Sequence, residues 1–223
     1  MSTMTPGQAW AEMVAGNERF VSGEPLHPRQ DVERRHQLAS VQTPDAALFG
    51  CSDSRLSAEI IFDKGLGDLF VVRNAGQVIS DSVLGSLEYA VGVLKVPLIV
   101  VLGHDACGAV QAAISSCAPD AETLPPNIAG LIRQIVPSVV KVAGVSGTEI
   151  SHADPAEVGK SHLRSTVAEL LTRSEMINRA VAEGTLAVVG ANYRLTEGTA
   201  VPDVTLGNLD PTGATSTKTP NAE

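Results

Sequence analysis

The sequence is poor in cysteine and contains no long apolar run. Its 223 residues include three cysteines, and an odd number in a chain of this length does not suit a disulfide framework. The longest apolar run, residues 96–102, is far shorter than the roughly 20 residues of a membrane-spanning helix, and the first residues lack the apolar segment of a secretory signal. We therefore expect a cytoplasmic protein without a membrane partner. Each cysteine is then a core thiol, a reactive thiol or a metal ligand.

Positive charge is scarce as well. Sixteen Lys and Arg residues against 25 Asp and Glu residues give a net charge of −9, and no basic stripe offsets it, which argues against a nucleic-acid partner. Hydrophobic residues make up 43% of the chain and charged residues 18%, which is the balance of a globular protein with a sizeable core. We expect one domain over residues 1–207 and a flexible tail over residues 208–223.

Short apolar runs alternate with helical patterns along the chain. Turn residues bound four runs that predict buried strands, at residues 46–50, 69–73, 97–103 and 186–191. Helical spacing predicts helices at residues 83–94, 109–116, 128–142 and 158–182, and an amphipathic helix in an N-terminal arm, residues 1–22. Strands that alternate with helices indicate an α/β fold with a mostly parallel central sheet of four strands. We expect residues 193–204 to add an antiparallel edge strand by a hairpin.

Two cysteines and a histidine follow two of the predicted strands. Cys51 comes directly after the first strand, and His104 and Cys107 follow the third. If these strands are neighbours whose crossovers run in opposite directions, the three side chains face each other at a topological switch point. Two cysteines and one histidine suit zinc, and three protein ligands leave the fourth position for water, as in catalytic zinc sites. The pattern alone also allows plain buried thiols.

An acidic and a basic residue stand close to the first of these cysteines. Asp53 is two residues from Cys51, near enough to bind the metal or to accept a hydrogen bond from its water. A two-pronged pair with Arg55 would keep the Asp53 carboxylate ionised and hold it off the metal. The alternative is a surface ion pair of little energetic value.

The other cysteine and histidines show no ligand spacing. We expect Cys117 to be a core or half-exposed helix thiol. His27, His36, His152 and His162 lie in polar stretches, so we expect solvated side chains, any of which could shuttle protons.

These motifs resemble those of a known enzyme family. The segment Cys-Ser-Asp-Ser-Arg at residues 51–55, together with His104, Cys107 and Gly108, is similar to the zinc signature of the β-class carbonic anhydrases. Three further segments resemble the second strand, the following helix and the N-terminal arm of that family: residues 70–76, 87–91 and 17–20. The likeness extends from about residue 10 to residue 193, which is nearly all of the chain.

The resemblance implies a zinc lyase that interconverts carbon dioxide and bicarbonate. It implies one Zn²⁺ per chain, held by Cys51, His104 and Cys107, with Asp53 and Arg55 as the catalytic pair. The implied substrate-binding residues are Gln42, Phe70, Ala75, Tyr89 and the backbone N–H of Gly108. The resemblance also implies a homodimer or a tetramer, in which residues of a partner subunit help to line the substrate pocket.

Other functions on the same scaffold stay open. Sibling enzymes with these ligands hydrolyse carbon disulfide or carbonyl sulfide and differ in an access tunnel, which a sequence does not show. A non-catalytic regulator that binds zinc or bicarbonate is a third reading. The presence of Asp53 and Arg55 argues against the regulator, because binding zinc alone does not need them.

Five positions bear on the subgroup and on local detail. Leu48 stands where members gated by bicarbonate carry a tryptophan, so the resemblance favours the openly accessible bacterial subgroup. Arg73 and Tyr193 would be the remaining candidates for an anion contact there. Asp105 and Gln77 stand where serine or threonine, and asparagine, are common in the family. We expect the hydrogen bonding around these last two residues to differ from that of the family.

Overall fold

A five-stranded sheet forms the centre of the computed structural model, which describes residues 4–212. The strands β1 to β5 are Ala46–Cys51, Leu69–Asn74, Leu98–His104, Ala187–Tyr193 and Ala200–Leu206. Their order in the sheet is β2-β1-β3-β4-β5, with the first four parallel and β5 antiparallel to β4. The predicted α/β fold, with four parallel strands and an antiparallel edge strand, is confirmed.

Nine α-helices flank the sheet within the described residues. In chain order, α1 to α9 are Pro6–Ser22, Val32–Gln37, Ala58–Ile61, Asp81–Gly92, Gly108–Ser115, Pro126–Arg133, Val136–Ser146, Pro155–Arg173 and Glu175–Ala182. Two of the predicted helices are each divided in two. The first break separates α6 from α7, where Pro137 has no N–H to continue the ladder of hydrogen bonds. The second break is at Ser174, which has extended backbone angles and whose hydroxyl accepts the N–H of Ile177 to cap α9.

None of the helices within residues 4–212 is by itself long and apolar enough to cross a membrane. The pair α6 and α7 meets the length and composition criteria together, with a bend of 46° between its two parts.

Both faces of the sheet are covered. Every residue of β1 and β3 is buried, and successive side chains point to opposite faces, as Leu48 and Phe49 do. The face that carries Leu48 packs against α1, α3 and α5 to α7, and the face that carries Phe49 packs against α4, α8 and α9. Burial on both faces explains why these strands are continuous apolar runs in the sequence.

The helix α1 packs on its own chain. Its residues Ala9 and Met13 are buried in the core, and Gly16 lies so close to the backbone of Phe62 that a side chain would not fit. The buried Asn17 amide donates to the carbonyl oxygens of Ile61 and Gly198 at 3.1 and 2.8 Å. The inner face of this arm is therefore covered by its own chain, whereas Val14 and Val21 of the arm stay exposed.

The beginning of the predicted tail also contacts α1. Leu209 packs against the core, and the backbone of Asp210 lies against Gly7. The rest of that predicted segment, residues 213–223, lies outside the described residues, as do residues 1–3 of the arm.

The strand order creates a switch point beside β1. From β1 the chain passes to β2 on one side, and from β2 it crosses by way of α4 to β3 on the other side of β1. The carboxyl ends of β1 and β3 are therefore neighbours at a point where the crossovers diverge, as expected from the sequence. Cys51 ends β1 and His104 ends β3, so both face this crevice.

Candidate metal centre

The two cysteines and the histidine expected to bind a metal lie together at the carboxyl edge of the sheet. Cys51 and His104 end their strands, and Cys107 immediately precedes α5. One ligand atom from each residue lies within 4.8 Å of the other two, and all three residues are buried. Two sulfurs and one ring nitrogen at this separation could surround a single ion.

The ring of His104 has the orientation of a metal ligand. Its Nδ1 lies 2.8 Å from the carbonyl oxygen of Asp105, so Nδ1 carries the proton and donates it. The other ring nitrogen, Nε2, is buried and has no hydrogen-bond partner among residues 4–212. A buried acceptor without a partner is costly, and a bond to a metal would remove that cost. The donor set of two sulfurs and one free imidazole nitrogen fits zinc.

The two sulfurs influence each other's protonation. The pKa of the Cys51 thiol is lowered, although burial opposes this shift. The largest cause is the contact with Cys107, and contacts with His104 and with a backbone N–H add to it. The sulfur of Cys51, together with burial, raises the pKa of the Cys107 thiol. A first thiolate opposes the formation of a second one beside it. A dication between the sulfurs would remove that opposition, because it favours both thiolates.

The loop after β2 supplies an N–H to one of these sulfurs. Gly76 donates its N–H to Cys51 Sγ at 3.4 Å. The loop is closed by the side chain of Asn74, which accepts the N–H of Val78 at 2.9 Å and donates to its carbonyl oxygen at 2.7 Å. Gly76 has a φ of 79° and two side-chain carbon atoms 2.9 Å from where a Cβ would be. Only glycine suits this position.

Asp53 and Arg55 form a two-pronged pair beside the ligand group. Asp53 Oδ1 accepts from Arg55 Nε at 2.9 Å, and Asp53 Oδ2 accepts from Arg55 Nη2 at 2.6 Å. These hydrogen bonds lower the pKa of the Asp53 carboxyl group, which therefore stays ionised. Asp53 Oδ2 lies 4.0 Å from His104 Nε2, so the carboxylate borders the space between the candidate ligands.

Arg73 holds the backbone of the same turn. Its Nε donates to the carbonyl oxygen of Cys51 at 2.9 Å, and its Nη2 donates to that of Asp53 at 2.6 Å. Arg73 was expected only as an anion contact, and this backbone role was not predicted. The parallel register pairs Arg73 with Gly50, and strand pairing is the one signal that could have placed it here.

Two of the expected substrate-binding residues lie at the ligand group. Ala75 is exposed and directly precedes Gly76, whose N–H faces Cys51. Gly108 is exposed and directly follows Cys107, as the first residue of α5. Ala75 is therefore next in sequence to a residue that contacts a candidate ligand, and Gly108 is next to a candidate ligand itself.

The other three expected substrate-binding residues lie elsewhere in the chain. Gln42 is exposed and precedes β1, whose six residues span about 17 Å to Cys51. Phe70 pairs with Ala47, near the amino end of the sheet. Tyr89, on α4, is 44% exposed and has its ring centroid 6.1 Å from that of Phe70. Phe70 and Tyr89 therefore lie next to each other, and within one chain all three residues lie apart from the ligand group.

The histidines outside the ligand group differ from the expectation at one position. His27, His36 and His152 are exposed, as expected. His162 is only 4% exposed, and its Nε2 lies 2.7 Å from the carbonyl oxygen of Gly76. The prediction of a solvated His162 is wrong because the inner face of α8 carries this residue against the loop after β2.

The remaining positions of interest have local roles. Cys117 is half-buried and donates to the carbonyl oxygen of Ala113 at 3.3 Å, as expected for a helix thiol. The carboxylate of Asp105 accepts the N–H of Leu195 at 3.0 Å, which ties the loop after β3 to the turn before β5. Gln77 has a φ of 40°, which asparagine adopts more readily, and its Oε1 is buried without a hydrogen-bond partner among the described residues.

Sequence comparisons identify similar proteins with a shared description. A family model described as carbonic anhydrase matches residues 46–200. Carbonic anhydrase 2 of Mycobacterium tuberculosis is 50% identical over 210 residues, which cover 94% of this chain and 98% of that protein. A carbonic anhydrase of Mycolicibacterium smegmatis is 48% identical over 200 residues, which cover 89% of this chain and 93% of that protein.

Solved structures agree with this likeness. A Coccomyxa β-carbonic anhydrase in complex with acetazolamide is 27% identical with a TM-score of 0.64, and the match covers 86% of this chain and 81% of that chain. A tetrameric β-carbonic anhydrase of Sordaria macrospora has a TM-score of 0.68 at 23% identity, with coverage of 86% and 95%, which is evidence for the fold alone.

Proposed function

Since this chain belongs to the carbonic anhydrase family, and to its β class, we propose that it uses one zinc ion to interconvert carbon dioxide and bicarbonate. The observation that carries the proposal is the group of Cys51, His104 and Cys107, with ligand atoms within 4.8 Å of one another, beside the ionised Asp53. When bound, zinc would supply the Lewis acidity that makes water nucleophilic at moderate pH.

Asp53 would orient the attacking water. An ionised carboxylate only accepts hydrogen bonds, so Asp53 would accept a hydrogen bond from the O–H of the water and leave an oxygen lone pair directed at carbon dioxide. Arg55 engages both carboxylate oxygens, which keeps Asp53 from turning towards the ligand group. Arg73 fixes the carbonyl groups on either side of the turn and so limits its movement.

The protein would act as a homodimer or tetramer in the cytoplasm. Gln42, Phe70 and Tyr89 lie away from the ligand group of their own chain, and the two aromatic rings lie next to each other. A neighbouring subunit could carry these residues to a substrate pocket that the ligand group alone does not complete.

Carbon dioxide is the favoured substrate among those considered. The relatives at 50% and 48% identity are named carbonic anhydrases, which supports carbon dioxide over carbon disulfide and carbonyl sulfide. The Asp53 to Arg55 pair supports an enzyme over a non-catalytic regulator, because both hydrogen bonds of the pair serve to aim a carboxylate.

Turnover of competing substrates tests the proposal. Purified zinc-loaded protein should hydrate carbon dioxide rapidly and hydrolyse carbonyl sulfide slowly or not at all. The Cys107→Ser variant should lose the activity, and Cys117→Ser should keep it, because Cys117 lies outside the ligand group. Faster turnover of carbonyl sulfide would point to the sibling activity, and no turnover of either substrate would point to a regulator.

A further inference from the structure

The buried face of α8 holds two successive carbonyl groups of the loop after β2. His162 Nε2 lies 2.7 Å from the carbonyl oxygen of Gly76. One turn later on the same helix, the Thr166 hydroxyl lies 3.4 Å from the carbonyl oxygen of Gln77 and 2.9 Å from that of His162. All four residues are buried. The helix therefore anchors the loop from the side opposite to the sulfur that the loop contacts.

His162 acts as a hydrogen-bond donor in this contact. A carbonyl oxygen can only accept, so the proton of the neutral imidazole lies on Nε2. Burial lowers the pKa of His162, which keeps the ring neutral at physiological pH. Without this donor, the buried carbonyl oxygen of Gly76 would have to find another partner, and the loop would have to turn to reach it.

The anchored residue is the one that contacts the candidate ligand. Gly76 accepts from His162 through its carbonyl oxygen and donates its N–H to Cys51 Sγ at 3.4 Å. A glycine at a φ of 79° has unusual backbone freedom, so a fixed carbonyl group restricts where its N–H points. The contact with α8 therefore determines whether the N–H reaches the sulfur.

We propose that His162 is a positioning residue that holds the Gly76 N–H against Cys51 Sγ and thereby tunes how this sulfur binds the metal. The inference rests on the zinc site proposed above. An N–H bond stabilises the thiolate, which is the form that binds the metal, and draws charge from its sulfur. Such partners of metal ligands affect both metal affinity and the electronic properties of the site. His162 itself touches neither the metal position nor the substrate.

Cobalt substitution tests the inference without an activity assay. In His162→Leu, the dissociation constant for Co²⁺, measured by competition with a chelator, should rise about 10- to 100-fold. Its sulfur-to-cobalt charge-transfer band should move to lower energy, because the thiolate has lost a hydrogen bond. His162→Gln keeps an N–H donor and should restore both values. Ser161→Ala is the matched control, since the adjacent Ser161 hydroxyl is buried without a hydrogen-bond partner among the described residues.

A second measurement needs no variant. In wild-type protein loaded with ¹¹³Cd, the amide proton of Gly76 should show a scalar coupling to the metal through Cys51 Sγ. Absence of that coupling, or a His162→Leu protein with wild-type affinity and band position, overturns the inference about His162 and leaves the proposed zinc site standing. A wild type that takes up neither metal overturns the zinc site, and the inference with it. If His162→Leu does not fold, His162→Phe, which keeps a ring but has no N–H donor, takes its place in the same two measurements.

Discussion

Arg55 binds both carboxylate oxygens of Asp53, with Arg55 Nε 2.9 Å from Oδ1 and Nη2 2.6 Å from Oδ2. The Arg55 side chain is 50% exposed, so solvent screens the pair and its contribution to stability is small. Its effect is on orientation, because Asp53 is held in the ionised form with one lone pair of Oδ2 still available. The pair therefore contributes to the chemistry of the site and little to the stability of the fold.

Replacing Arg55 should therefore reduce activity and leave stability nearly unchanged. In Arg55→Ala we expect carbon dioxide hydration to fall roughly 100-fold, the scale of a lost proton-positioning group. Arg173→Ala is the control, because Arg173 forms exposed ion pairs with Asp81 and Glu169. Stopped-flow rates and melting temperatures measure both effects. Wild-type turnover in Arg55→Ala across the pH range would contradict the role given to Asp53.

His162 should make the protein less stable as the pH falls. Burial depresses the pKa of folded His162 below its ordinary value of 6.5, so below that pH the unfolded chain binds a proton that the folded protein does not. The free energy of unfolding then decreases with falling pH, by at most about 1.4 kcal/mol per pH unit for one group. Denaturant unfolding at pH 7 and pH 5 should show a smaller loss in His162→Gln than in the wild type. An equal loss in both proteins would contradict the burial argument.

The strands and the candidate ligands could be predicted from the sequence because each depends on local signals. β1 and β3 are buried on both faces, so their sequences are unbroken apolar runs, and Cys51 and His104 stand at their ends. Parallel strands with helices between them have few arrangements, which was enough to bring the two ends together.

The features that were not predicted depend on which face of a helix meets the rest of the protein. His162 stands among polar residues in the sequence, yet α8 directs it inwards to Gly76. The burial of α1 depends on Gly16, which allows close approach to Phe62, a contact between residues far apart in the chain. Arg73 was expected only as a candidate anion contact, whereas the register of β2 places it beside the turn after β1. Such contacts between distant segments leave no periodic signal.

Bicarbonate should act as a simple product inhibitor of the enzyme. Leu48 is 1% exposed in the core and its side chain offers no N–H to an anion, and Arg73 is already bonded to two backbone carbonyl groups. A buried anion without donors costs several kcal/mol. At pH 7.5 we expect a hyperbolic inhibition curve, and crystals soaked in bicarbonate should keep Asp53 on Arg55. A sigmoidal curve together with Asp53 bound to zinc would show a regulatory site despite Leu48.

Mixed dimers should reveal whether one subunit completes the site of another. Cys107→Ser removes a ligand, and a Gln42→Ala, Tyr89→Ala double variant removes the proposed partner surface. Each protein alone should be weakly active, and random exchange of subunits should restore about a quarter of wild-type activity, because half of the dimers gain one intact site of two. Mixing Cys107→Ser with Arg55→Ala is the control, since both defects lie at the metal side. No recovery in the first mixture, or equal recovery in both, would contradict the shared site.

The most direct test is a zinc titration of carbon dioxide hydration in a stopped-flow instrument. Metal-free protein should be inactive, and the rate should rise linearly until one zinc ion per chain is bound and then level off. X-ray absorption at that point should show two sulfur ligands and one histidine nitrogen, from Cys51, Cys107 and His104. Full activity without zinc, or an active protein with a four-sulfur shell, would contradict a zinc enzyme built on these three residues.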